Sequence, residues 1–132
     1  MPTKPTQTVR IVPEENPATK DEPTKTDACV GSSSDLDAIA ACTQLIDSRR
    51  FQGTALAKLY YERGMKYRFR NSYRLAVADL DRAIRLAPSD GEIVWGRGCT
   101  RIAMGDKRGG RADVARAKTL GFELDKEAPC GL

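Results

Sequence analysis

Hydrophobic spacing divides the chain into two unlike parts. Residues 60–88, YYERGMKYRFRNSYRLAVADLDRAIRLAP, place apolar side chains at the intervals of three and four that mark two consecutive amphipathic helices. Residues 1–28 show no such spacing. They are rich in Pro, Thr, Lys and Glu, hold only Val9, Ile11 and Val12 as sizeable aliphatics, and read as a disordered tail or linker. The helical part contains an anomaly: Gly64 lies inside its first helix, where glycine costs about 1 kcal/mol against alanine.

The glycine belongs to a pattern. YERG at 61–64 returns as WGRG at 95–98, and the same offset of 34 residues carries Arg63 onto Arg97, Gly64 onto Gly98, Ala78 onto Ala112, Asp79 onto Asp113, Leu80 onto Val114, Arg82 onto Arg116 and Ala83 onto Ala117. Seven coincidences at one spacing mark an internal repeat. In the first copy the small residues Gly64, Ala76 and Ala83 and the large residues Tyr60, Tyr67 and Leu80 fall where two packed helices need hollows and bumps. Gly64 is therefore expected to let the second helix approach closely, which offsets its low propensity.

With these residues in view, 57–90 resembles a tetratricopeptide repeat. Tyr60, Gly64, Tyr67, Ala76, Leu80, Ala83 and Pro88 meet that family's pattern of aromatic, glycine, tyrosine, alanine, large apolar, alanine and closing proline. Residues 91–121 resemble a divergent second copy. It keeps Gly98, Val114 and Ala117 but has Arg101 for tyrosine, Gly110 for alanine and no final proline. Upstream, AIAACTQLI at 38–46 resembles AVADLDRAI at 76–84 with an offset of 38, the extra residues falling in DSRRFQGT. The resemblance implies an all-α, right-handed stack of about five antiparallel helices, near 35–48, 54–69, 73–86, 90–104 and 110–120. Ser34 or Asp35 and Ser89 or Asp90 are the expected caps. The chain then divides into a tail over 1–28 and a domain over 29–132: a degenerate leading half-repeat over 29–53, repeats over 54–90 and 91–121, and a C-terminal tail over 122–132.

Composition bounds what such a domain can do. A chain of 132 residues allows one small domain. No run approaches the roughly 20 apolar residues of a membrane helix, and the N-terminus lacks the basic and apolar regions of a signal peptide. The cysteines point the other way. Cys29, Cys42, Cys99 and Cys130 are an even set without C-x-x-C spacing, and the chain has no histidine, so two disulfides in an oxidising compartment are favoured over a zinc site. The chain reads as a mature segment whose export signal has been removed, hence periplasmic or secreted; reduced cysteines in the cytoplasm are the alternative. In the implied stack Cys29 sits just before the leading helix that carries Cys42, and Cys130 in the tail could pin it to Cys99. These are the expected pairs, although sequence leaves the other pairings open. Cys99 corresponds to Met65, a groove-facing position in the family, so a tail pinned there would cross part of the groove; the alternative is that it packs beside the last helix without entering the groove.

Chemistry has little to rest on. Without histidine, a nucleophile elbow, a phosphate-binding glycine loop or a metal-ligand cluster, neither catalysis, cofactor nor metal is expected. DKRGGR at 106–111 reads as a turn between helices, and Asp81 with Arg85 as a surface pair. The resemblance instead implies a protein-interaction module. Its concave groove would be lined by Lys58, Tyr61, Met65, Arg68 and Phe69 and by Glu92, Trp95, Cys99 and Ile102, with Trp95 the leading hot spot. Tyr61 and Met65 stand where some members carry the carboxylate clamp for chaperone tails, which disfavours those partners. From 49 to 85 the chain has ten basic residues against three acidic ones, a balance suited to an acidic or amphipathic protein segment or an anionic envelope surface. Nucleic acid is the weakest of these partners, and self-association through open repeat ends is the structural alternative.

Overall fold

A computed structural model of the chain describes residues 25–31, 34–123 and 130. The described residues form six helices and no strand: α1 (Lys25–Gly31), α2 (Asp35–Asp47), α3 (Gly53–Phe69), α4 (Tyr73–Leu86), α5 (Gly91–Ala103) and α6 (Lys107–Thr119). This is one helix more than the five expected. The additional helix, α1, begins at Lys25, inside the stretch assigned to the tail; the rest of that stretch, 1–24, lies outside the described residues. Its seven residues are too few to show a helical period, and an isolated helix that short is unstable in water. It is held by Cys29, fully buried and disulfide-bonded to the fully buried Cys42 of α2. The leading unit is thus a helix pair.

Helix ends follow local chemistry. Ser34 Oγ accepts from the Asp37 N–H at 3.3 Å, and Asp90 Oδ1 accepts from the N–H groups of Glu92 and Ile93 at 3.0 and 3.4 Å. Asp106 accepts from the Gly109 N–H at 2.9 Å, which starts α6 at Lys107 rather than near residue 110. A good cap outweighs the poor propensity of Gly109 and Gly110 in the first turn. The turns between paired helices also repeat. Asn71 and Gly105, 34 positions apart, both take positive φ (63° and 102°), and the next N–H reaches back to Tyr67 O and Arg101 O, each at 2.8 Å. That pair of features closes a helix and reverses the chain.

Successive helices pack pairwise, and further contacts join α1 to α3 and α3 to α5, whereas α2, α4 and α6 do not approach one another. The odd-numbered helices therefore form the more closely spaced of two layers, which we term the inner layer. Apolar residues fill it in two clusters. Cys29, Ala41, Cys42, Leu45 and Leu59 form one; Ala57, Tyr61, Met65, Leu80, Ala83, Ala87 and Ile93 form the other. Ala76, Leu80 and Ala83 are completely buried.

Gly64 does what the repeat implies. A Cβ there would lie 3.1 Å from Leu80 Cγ and 3.2 Å from both Ala76 O and Asp79 Cβ. At Gly98 it would lie 2.8 Å from Asp113 Cβ and from Gly110 O. The second copy is the more tightly closed, and Gly110, in place of alanine, makes that possible.

The repeat also encodes an ionic clamp. Arg63 donates through Nε and Nη2 to the two carboxylate oxygens of Asp79, both at 2.7 Å, and through Nη1 to Thr43 Oγ1 at 3.1 Å. Arg97 makes the same fork with Asp113 at 2.9 Å and reaches Asp81 Oδ1 with Nη1 at 3.0 Å. Thr43 and Asp81 are equivalent under the offset of 38, so each arginine ties its own pair to the pair before it. Asp81 thus serves the next repeat and not Arg85, the partner expected from helical spacing. Tyr60 and Tyr67 flank Arg63 with ring centroids 5.7 and 5.8 Å from Cζ. In the second copy Arg101 replaces Tyr67 and donates instead to Asp113 Oδ2 at 2.9 Å.

Candidate functional site

The inner face of α3 and α5 carries the residues expected to line a groove, and tertiary packing sorts them into two groups. Tyr61 and Met65 are buried, because α5 lies against them at Gly96. A Cβ on Gly96 would come 3.1 Å from Met65 Sδ and 3.2 Å from Tyr61 Cε1. The Tyr61 hydroxyl donates to Glu92 Oε2 at 3.1 Å. Burial, and next the Glu92 carboxylate, hold this phenol well above its ordinary pKa. Cys99 is fully buried and disulfide-bonded to Cys130. Tyr61 and Met65 thus join α3 to α5, and Cys99 joins α5 to the chain after α6.

The second group remains accessible in part or in full. Phe69 is 57% exposed at the end of α3, with Arg68 Cζ 5.7 Å and Lys66 Nζ 5.9 Å from its ring centroid. This exposed aromatic between two cations is the opposite of a core residue. Lys58 is exposed and pairs with Glu62 at 3.6 Å across one helical turn. Burial raises the Glu62 carboxyl above its ordinary value, against the pull of Lys58. Beside them a small cavity of about 80 Å³ is lined by Thr54, Lys58, Tyr61, Asp90, Glu92 and Ile93. Ile102 is half-buried, its side chain against Gly110.

Trp95 is half-buried, and its ring lies 5.6 Å from that of Phe122 at a tilt of 40°. Phe122 is placed by the end of α6, where its N–H donates to Ala117 O at 3.0 Å. The described residues after α6 meet α5 at two points, Phe122 on Trp95 and Cys130 on Cys99; the expected crossing of the groove by the tail falls between them. Residues 124–129 lie outside those described.

Two polar atoms stand out on the inner layer. Arg68 Nε and Trp95 Nε1 are buried N–H donors without a hydrogen-bond partner among the described residues. Native proteins satisfy nearly all such groups, and an unsatisfied one costs about 1–3 kcal/mol. Both residues were legible in the sequence as groove candidates, but their burial depends on tertiary packing, α5 against α3 and Phe122 against Trp95.

Two disulfides indicate folding in an oxidising environment, and among the described residues no helix is long and apolar enough to cross a membrane. No family model, curated protein or solved structure matches this chain.

Proposed function

We propose that this chain is a tetratricopeptide-like binding module, periplasmic or secreted, whose inner face holds an extended acidic segment of another protein and catalyses no reaction. The observation that carries this reading is the exposed Phe69 at the end of α3, flanked by Arg68 and Lys66. Phe69, held between Arg68 and Lys66, offers an apolar contact ringed by positive charge, and Lys58 extends that charge toward the start of α3. Aromatic and arginine side chains of this kind dominate interface energetics.

Trp95 is the chain's only tryptophan, so binding can be read from its emission. An array of acidic peptides selects a probe, and the best peptide is titrated into the wild type and into Arg68→Ala and Phe69→Ala. The expected result is a saturable change in Trp95 emission with affinity falling about tenfold in each variant, equivalent to about 1.4 kcal/mol. An array without a binder, or affinity unmoved by both substitutions, overturns the reading.

A further inference from the structure

The second half of the fold engages its carboxylates and leaves several of its cations unpartnered among the described residues. From α4 to α6 every acidic side chain is engaged within the fold. Asp79, Asp81 and Asp113 receive Arg63, Arg97 and Arg101, Asp90 and Asp106 cap helices, and Glu92 accepts from Tyr61. On the outer layer the opposite holds. Arg74 and Arg85 of α4 and Arg108, Arg111, Arg116 and Lys118 of α6 are exposed, and none has a carboxylate partner among the described residues. Arg97 joins the two helices by holding Asp81 of α4 and Asp113 of α6 at once, so their solvent faces belong to one side of the stack. Trp95, two residues away on α5, points to the opposite side, since successive helical residues turn by about 100°.

We infer that this outer wall of α4 and α6 is a docking surface for an anionic phospholipid bilayer. Its cations are spread over two separate helices, α4 and α6, rather than gathered into one groove, a distribution that suits a sheet of negative charge better than a single strand. α6 has no aromatic side chain on which nucleic-acid bases could stack, and α4 has one, Tyr73 at its first position, whose hydroxyl donates to Asn71 Oδ1 at 2.9 Å. Leu75, 54% exposed beside Arg74, adds one apolar contact at the edge of the wall. Clusters of four to eight Lys and Arg bind anionic leaflets in this way, weakly and with strong dependence on salt. The surface is separate from the inner face, so the module can hold a peptide while lying on a membrane.

The test is co-sedimentation of the full chain with vesicles of phosphatidylcholine alone and of phosphatidylcholine mixed with phosphatidylglycerol, at low and high salt. Partition only to the mixed vesicles, lost at high salt, is expected. It should fall about a hundredfold or more in Arg108→Glu/Arg111→Glu/Arg116→Glu and persist in the matching triple lysine variant. The three positions are solvated, and unchanged circular dichroism and retained peptide binding by the glutamate variant keep this result distinct from failure of the inner face. Absence of partition to the mixed vesicles, equal partition to the neutral ones, or unchanged partition of the glutamate variant overturns the inference. So does retention on a soluble linear polyanion by a protein that ignores anionic vesicles.

Discussion

Gly64 and Gly98 are equivalent in sequence but not in tolerance. A methyl at Gly98 meets a side chain and a backbone carbonyl at 2.8 Å, whereas at Gly64 the closest approach is 3.1 Å, to the branch point of a leucine. Gly98→Ala should therefore lose about 1–3 kcal/mol by overpacking. Gly64→Ala should cost less, because its contacts are longer and the roughly 1 kcal/mol gain in helix propensity, which both substitutions share, offsets more of the smaller strain. Urea denaturation of both variants checks the order. The arginine clamp makes a second prediction. Arg97→Met strips the buried Asp113 of its bidentate partner and leaves it only Arg101, so a loss of about 3 kcal/mol is expected. Adding Asp113→Leu should recover part of that loss, since the uncompensated carboxylate has gone. Tyr61 gives a pH dependence. Its phenol titrates above the ordinary 10.0 when folded, so above about pH 10 the unfolded chain releases a proton that the native one retains, and stability falls as pH rises. Denaturation midpoints measured from about pH 8 to 11 should fall less steeply in Tyr61→Phe than in wild type.

At the scale of elements, α1 is the weakest part of the stack. Seven residues do not sustain a helix alone, and its attachment centres on the buried Cys29–Cys42 bond. That bond closes a short loop, for which chain entropy gives about 3 kcal/mol. Cys29→Ser/Cys42→Ser should therefore lower stability by about 2–4 kcal/mol. Hydrogen exchange should show α1 amides losing protection before those of α3 to α6; equal loss everywhere would mean that α1 is integral to the core. By contrast, α4 and α5 are stapled from both sides by Arg63 and Arg97, and their boundaries lie within one residue of those read from spacing.

For the whole molecule, the two disulfides fasten opposite ends of the stack. A solenoid buries each unit only against its neighbours, so its terminal units have the least support, and Cys29–Cys42 and Cys99–Cys130 reinforce those units. The described cysteines include no free thiol. Alkylation under denaturing conditions without reductant should therefore add no mass to the purified protein, and prior reduction should allow four additions. Uptake of alkyl groups by the unreduced chain would remove the argument for an oxidising compartment.

The sequence by itself determined the repeated, local features of this protein. Helix spacing, the alternative caps Ser34 or Asp35 and Ser89 or Asp90, and the small residues at 64, 76, 83 and 98 were legible, because each depends on neighbours within a turn or on a period that occurs twice; the cysteine pairs, 13 and 31 residues apart, followed only from the implied stack, and sequence left the other pairings open. Arg63, Arg97, Asp79 and Asp113 were visible as matching positions, yet their pairing was not, because residues 16 apart on different helices meet only after those helices dock. Only the tertiary structure decided that Asp81 serves the following repeat, that Tyr61 and Met65 close a core while Phe69 stays open, and that Arg68 and Trp95 keep donors without acceptors among the described residues. α1 belongs to the same group: its seven residues are too few for a periodic signal, and burial of a disulfide supplies the stability that the local sequence lacks.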